Sequence, residues 1–310
     1  MKVEASVVFR VRMPQYAKTT RMKRPPAVDV ALELEMNLGE GAFWDGARGA
    51  VVWVDILNGE IHELAGSDHR VHRTDTHVGV AAPRRRGGWV LAVREGFGAF
   101  DPDTGRFEIL KRVEVPGTRM NDGNVDRRGR FFAGSMLYSE QAGGGRLYRL
   151  DPDLSVGVVL DQVSVSNGID WSPDGRSVYY VDSNERTITR FDFDEDTAAW
   201  SNAETFARLA EGEGFPDGLT VDSDGCVWLA VWDGAQVRRY SPDGRVDQVF
   251  KVPAPRVTSC GFGGPDLATL FVTTARVGLT ASRLQEYPLS GSLFAIRPGV
   301  SGSSRNSFAG

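Results

Sequence analysis

Val227-Trp228-Leu229-Ala230-Val231 is a short apolar strand bounded by turn residues, and it has five relatives elsewhere in the chain. They are Val51-Val52-Trp53-Val54, Trp89-Val90-Leu91-Ala92-Val93, Phe131-Phe132-Ala133, Val178-Tyr179-Tyr180-Val181 and Leu270-Phe271-Val272. The six copies begin about 40 to 50 residues apart, the period of a four-stranded propeller blade. Each is followed by a second, alternating strand, such as Arg146-Leu147-Tyr148-Arg149-Leu150 or Gln236-Val237-Arg238-Arg239-Tyr240. The joining turns are rich in Asp-Gly, Pro-Asp and Asn-Gly, which supply the positive φ angles and Asx turns of tight hairpins. Period-2 alternation dominates and no long stretch repeats at 3.6. The fold class is therefore all-β, a six-bladed propeller around a central channel; a β-sandwich does not repeat so regularly.

The propeller is expected over residues 27–298, with the strand around Val28–Met36 adding to the last blade and closing the ring. Residues 1–26 are basic, end in Pro25-Pro26, and are expected to be a disordered extension outside the fold. Residues 299–310, rich in Ser and Gly, are expected to be a flexible tail. The chain has 310 residues and a formal charge of −5, which argues against a nucleic-acid partner, because phosphate binding wants a basic face. Arg84-Arg85-Arg86 reads as a solvated turn. No apolar run approaches the roughly 20 residues of a membrane span. Cys226 and Cys260 cannot form a disulfide framework and are read as isolated buried thiols, which suits a reducing, cytoplasmic setting. Oligomeric state is not readable.

A polar residue followed by glycine recurs about ten residues ahead of most of the repeated strands: Gly39-Glu40-Gly41, Asn121-Asp122-Gly123, Ser166-Asn167-Gly168 and Pro216-Asp217-Gly218, with Ser259-Cys260-Gly261 as a later copy. The first strand of every blade is innermost, so residues at one repeat position converge on the channel. Glu40, Asp122, Asn167 and Asp217 would bring oxygens to one mouth. Crowded anionic oxygens with no lysine at that position repel one another unless a hard divalent cation joins them. Singly, an Asp-Gly or Asn-Gly is a turn signal; four in one phase carry more.

At these residues the chain resembles the SMP-30/gluconolactonase family, which includes regucalcin and bacterial sugar lactonases. The resemblance rests on Leu38-Gly39-Glu40-Gly41 with Trp44, Arg119-Met120-Asn121-Asp122-Gly123-Asn124-Val125-Asp126, and Gly129 through Met136. It continues in Ser166-Asn167-Gly168 through Gly175, Pro216-Asp217-Gly218, Gly263-Gly264-Pro265-Asp266-Leu267 through Arg276, and Tyr287-Pro288-Leu289-Ser290-Gly291. It spans about residues 30 to 298. It implies one divalent cation on Glu40, Asn167 and Asp217, a sugar contact by Arg119 and Asn121, and hydrolysis of aldonolactones such as glucono-, xylono- or arabinonolactone. Asp122 joins Arg119 and Asn121 as an expected substrate residue. Leu137-Tyr138-Ser139-Glu140 departs from the family pattern, which puts Glu140 one position away from its expected place as a substrate residue.

Within that picture Asp217 is the candidate general base and Asn121 the donor to a substrate oxygen. The planar fork of Arg119 suits sugar hydroxyls better than a lysine would. The oxygen-rich set fits Ca2+, Mg2+ or Mn2+, and a three-ligand site also admits Zn2+ or Fe2+. No Gly-x-Ser-x-Gly elbow occurs, and His62, His69, His72 and His77 cluster in or next to blade one, so a Ser-His-Asp hydrolase is not expected. Two alternatives stay open: phosphotriester hydrolysis on the same scaffold, and a metal-binding propeller without catalysis.

Overall fold

The computed structural model describes residues 27–113 and 115–310; the expected extension over 1–26 lies outside the described residues. A leading strand, β1 (Val28–Leu32), precedes blade one, which consists of β2 (Gly39–Asp45), β3 (Ala50–Asp55), β4 (Glu60–Ala65) and β5 (Asp68–Arg73). Blade two holds β6 (Val78–Pro83), β7 (Trp89–Val93), β8 (Gly96–Asp101) and β9 (Arg106–Arg112). Blade three holds β10 (Thr118–Val125), β11 (Phe131–Leu137), β12 (Gly145–Leu150) and β13 (Val156–Val163). Blade four holds β14 (Ser166–Trp171), β15 (Ser177–Asp182), β16 (Thr187–Phe193) and β17 (Trp200–Arg208). Blade five holds β18 (Phe215–Val221), β19 (Val227–Trp232), β20 (Gln236–Tyr240) and β21 (Val246–Lys251). Blade six holds β22 (Val257–Gly263), β23 (Thr269–Thr274) and β24 (Leu293–Ile296), with a short helix, α1 (Ala281–Glu286), before its last strand. All six sheets are four-stranded, because β1 pairs antiparallel with β24 (Val28 opposite Ile296, Val30 opposite Phe294) and supplies blade six with its outer strand.

The six repeated apolar segments are the second strands β3, β7, β11, β15, β19 and β23. Each is buried on both faces because a neighbouring blade covers each side, so it reads as a continuous apolar run. On β3, Val52 and Val54 pack with Trp89 and Leu91 of blade two, while Val51 and Trp53 pack with Leu293 of blade six. The pattern continues round the ring, with Phe131 facing blade two and Phe132 facing blade four. Each large side chain so buried stabilises the fold by about 1.5–3 kcal/mol relative to exposure. Cys226 and Cys260 are both free and buried. No helix among the described residues is long and apolar enough to cross a membrane.

Residues 299–310 differ from the expected flexible tail. Phe308 is fully buried with Val90, Phe131 and Tyr148 between blades two and three. Its amide donates to Pro83 O (2.8 Å) and its carbonyl accepts from Arg85 N (2.9 Å). The Arg84 guanidinium donates to Gly310 O at 3.2 Å, so part of the arginine turn docks the segment. One aromatic anchor set among small polar residues helps to hold it, and composition hides that anchor.

Candidate functional site

The inner strands β2, β6, β10, β14, β18 and β22 each carry a register shift against the second strand of their blade. On β10, Met120 opposes Ser135 and Gly123 opposes Ala133, so Asn121 and Asp122 share one partner position. The same irregularity lies between Glu40 and Phe43, Ser166 and Ile169, and Pro216 and Leu219. A bulge of this kind re-aims side chains locally. Counted from the bulge, Asn121, Asn167 and Asp217 are equivalent, Glu40 stands one residue ahead and Asp122 one residue beyond. Gly168 shows why glycine follows: a Cβ there would lie 2.5 Å from Leu219 N, because the neighbouring inner strand approaches backbone to backbone.

The strands therefore present two different ends. A cavity of about 480 Å³ is lined by Glu40, Arg119, Asn121, Asn167, Asp217 and, at the rim, Tyr138 and Glu140. A second, of about 120 Å³, is lined by Asp122, Asn124, Asp170, Cys260 and Arg305. On β2, β10, β14 and β18 the earlier residues face the first and the later residues face the second. Asp122 thus parts from the expected quartet: it stands at the far end, because its place is set by the bulge and not by the glycine that follows it. Glu140 is exposed at the mouth. His77, beyond blade one, reaches the rim residue Tyr138, its Nδ1 lying 2.7 Å from the hydroxyl.

At the mouth Glu40, Asn167 and Asp217 are all buried. Arg119 Nη1 donates to Asn121 Oδ1 (2.5 Å) and to Met120 O (3.1 Å). Asn121 Nδ2 donates to Ser166 O (2.8 Å) and Asn167 Oδ1 (3.0 Å). Asn167 Nδ2 donates to Ser183 Oγ (2.8 Å), and Ser183 Oγ donates in turn to Pro216 O (2.7 Å). The hydroxyl proton of Ser183 is spent on that carbonyl, so its lone pair must accept from Asn167. This fixes the amide with Nδ2 toward Ser183 and Oδ1 toward Asn121. Upstream, Asp55 accepts from the amides of Asn37 and Leu38 (2.8 and 2.9 Å), and Asp182 from those of Ser164 and Val165 (2.8 and 3.0 Å). Both carboxylates set the entry to a site-bearing strand. Ser183, Asp55 and Asp182 escape sequence reading because they sit outside the polar-Gly pattern; the recurrence of Asp at the end of β3 and β15 is the signal that could have found the pair.

Burial pushes the carboxyl of Glu40 well above the usual carboxylate range, and the charges of Asp217 and Asp122 push it further; Gly41 N and Arg119 oppose this. Asp217 is raised likewise, first by burial and then by Asp122, against Gly218 N and Arg119. Arg119 is itself lowered from its ordinary value by burial. Two buried carboxylates against one guanidinium leave an excess of negative charge, and Asp217 Oδ1 is buried without any hydrogen-bond partner. A buried polar atom without a partner is costly. Two carboxylate groups and an oriented carboxamide oxygen are all hard oxygen donors, a set that suits a divalent cation. Among the described residues no group of three or more His, Cys, Asp and Glu could hold a metal ion; the set here is two acids and an amide.

Residues 38–276 match the SMP-30/gluconolactonase/LRE-like region family. Regucalcin of Danio rerio is 36% identical over 290 residues, covering 91% of this chain and 98% of its own. A 6-deoxy-6-sulfogluconolactonase of Pseudomonas putida is 36% identical over 279 residues, covering 88% and 95%. The crystal structure of a calcium-binding regucalcin from Agrobacterium tumefaciens superposes with a TM-score of 0.88 at 31% identity, over 92% of this chain and 98% of that one. With its match across most of the propeller and these relatives spanning nearly their whole length, the chain belongs to the SMP-30/gluconolactonase/LRE-like family.

Proposed function

We propose that this chain is a divalent-cation-dependent lactonase that opens aldonolactones to aldonic acids, with Glu40, Asn167 and Asp217 holding the cation. The observation that carries the reading is the unbalanced charge at the mouth: two buried carboxylates, one orphan oxygen on Asp217, and an amide whose orientation is fixed from behind. When bound, such a cation supplies Lewis acidity to an ester carbonyl or to water.

The chain's own residues do the remainder. Water adds to the lactone carbonyl carbon and gives its proton to a carboxylate oxygen, for which Asp217 is the candidate. The bond from carbonyl carbon to ring oxygen breaks, the ring oxygen leaves as a hydroxyl carrying that proton, and the new acid ionises. Both bonds of Arg119 come from Nη1, which leaves Nη2 and Nε to grip sugar hydroxyls. The amide hydrogens of Asn121 are used on Ser166 and Asn167. Asn121 therefore keeps Arg119 and Asn167 in register, and its substrate contact falls to the second lone pair of Oδ1. Leu57, Phe215 and Trp232 line the same cavity and suit the C–H face of a sugar ring. Tyr138 and Glu140 stand at the rim as the residues that choose among lactones. The sugar-lactonase relative supports this substrate class.

Acid release from a panel of five- and six-carbon aldonolactones tests the reading, run after chelation and again after add-back of Ca2+, Mg2+, Mn2+, Zn2+ or Fe2+. Activity is expected to fall about 100-fold or more without metal and to return with it, while a phosphotriester assayed alongside stays unhydrolysed. Full lactone turnover after verified metal removal would end the proposal.

A further inference from the structure

The segment from Gly299 to Gly310 crosses the end of the ring that holds the smaller cavity. Ser223 N of blade five donates to Ser301 O (2.9 Å), and Gly302 N donates to Leu267 O of blade six (2.9 Å). A Cβ on Gly302 would lie 2.4 Å from Phe262 Cβ, so the backbone lies directly on blade six there. Arg305 Nη2 donates to Gly123 O of blade three (2.8 Å), and Asn306 Nδ2 to Val125 O (3.1 Å). Phe308 then anchors between blades two and three, and Ala309 N donates to Gly129 O (3.0 Å). Four blades are thus tied by one short strap.

Arg305 is the informative residue. Its guanidinium stands 5.4 Å from the ring centroid of Phe43, it lines the far cavity, and its Nε is buried without a partner. The acids whose charge acts on it are Asp122 and Asp170, against a burial that lowers its own pKa. Asp170 already accepts from Val221 N, Trp171 N, Thr220 Oγ1 and Asn124 Nδ2, whereas Asp122 accepts from Gly123 N.

We propose that the C-terminal segment is a built-in plug: it closes the channel at the end away from the Glu40–Asn167–Asp217 mouth and sets Arg305 there as the fixed counter-charge to Asp122 and Asp170. The far end then holds its carboxylates with a cation the chain itself carries. This inference does not rest on the lactonase reading.

Cys260 reports on it, because it lines the far cavity and is buried, with Sγ 3.7 Å from Trp228 O. The test uses the full chain with Cys226→Ser, so that Cys260 is the sole thiol, and iodoacetamide as a neutral probe. Phe308→Ala is expected to speed alkylation of Cys260 about tenfold or more by loosening the anchor. Arg305→Met is expected to speed it several-fold, with Arg305→Lys returning toward the parent rate. In the same variants, amide exchange on β15, in a blade the strap does not bond to, should rise less than Cys260 alkylation does. Equal acceleration at Cys260 and on β15, or none at Cys260, would overturn the plug. Equal rates in the Met and Lys variants at 305 would overturn the counter-charge.

Discussion

The two ends of the channel are built from the same inner strands and carry the same count, two carboxylates and one buried guanidinium, yet they differ in how those carboxylates are hydrogen-bonded. At the far end Asp170 takes four donors, and Asp122 and Asp170 share the field of Arg305. At the mouth Glu40 and Asp217 have one buried guanidinium between them and an oxygen with no partner. The far end satisfies Asp170 with donors from the chain itself; the mouth leaves an oxygen of Asp217 open, where the proposed cation would meet it. A site that binds a cation must be left short of positive charge, and that shortage costs stability when nothing is bound.

The comparison breaks most sharply at Asp217. Asp217→Asn is expected to lower lactone turnover by about 100-fold or more, and near-normal turnover would exclude it as base. The same substitution, and Glu40→Gln, should stabilise the cation-free protein. The sign follows from linkage: a carboxyl whose folded pKa lies above its unfolded value contributes stability at low pH that is lost as pH rises through the folded pKa. Cation-free protein should therefore melt at progressively lower temperature as pH climbs from the ordinary carboxylate range toward neutrality and above. Both variants should flatten that slope, and a melting curve that rises with pH would contradict the charge imbalance.

Ser183 sharpens the picture at the next level. Ser183→Ala removes the acceptor that orients the Asn167 amide, and cation affinity measured by calorimetry is expected to fall about tenfold. An unchanged affinity would show that Asn121 alone holds the amide. Asp122 gives the smallest effect. Because it faces the far cavity, Asp122→Asn should cost less than about tenfold in turnover, its influence reaching the mouth only as charge. A loss as deep as that of Asp217→Asn would return Asp122 to the mouth.

Much of this was legible in the sequence. The second strands declare themselves as apolar runs because blades cover both of their faces, and six such runs at one period fix a propeller. Blade two's inner strand is quieter: Val78-Gly79-Val80 brings no polar group to the axis and so carries no polar-Gly signature. Glu40, Asn167 and Asp217 were readable because a glycine follows each, Gly168 and Gly218 where neighbouring strands approach closely and Gly41 where φ is +61°. Asp122 misled for the same reason, since a following glycine marks close packing while the bulge decides which cavity a side chain enters. Ser183 and Arg305 stayed hidden because their partners, Pro216 and Gly123, are backbone carbonyls far along the chain. No local pattern records such a contact.

The central claim is that the mouth, and not the far end, is short of a cation. Anomalous scattering from crystals soaked in Mn2+ tests it directly. The account predicts a single peak bounded by Glu40, Asn167 and Asp217; a peak beside Asp122 and Asp170, or none at the mouth, would contradict it.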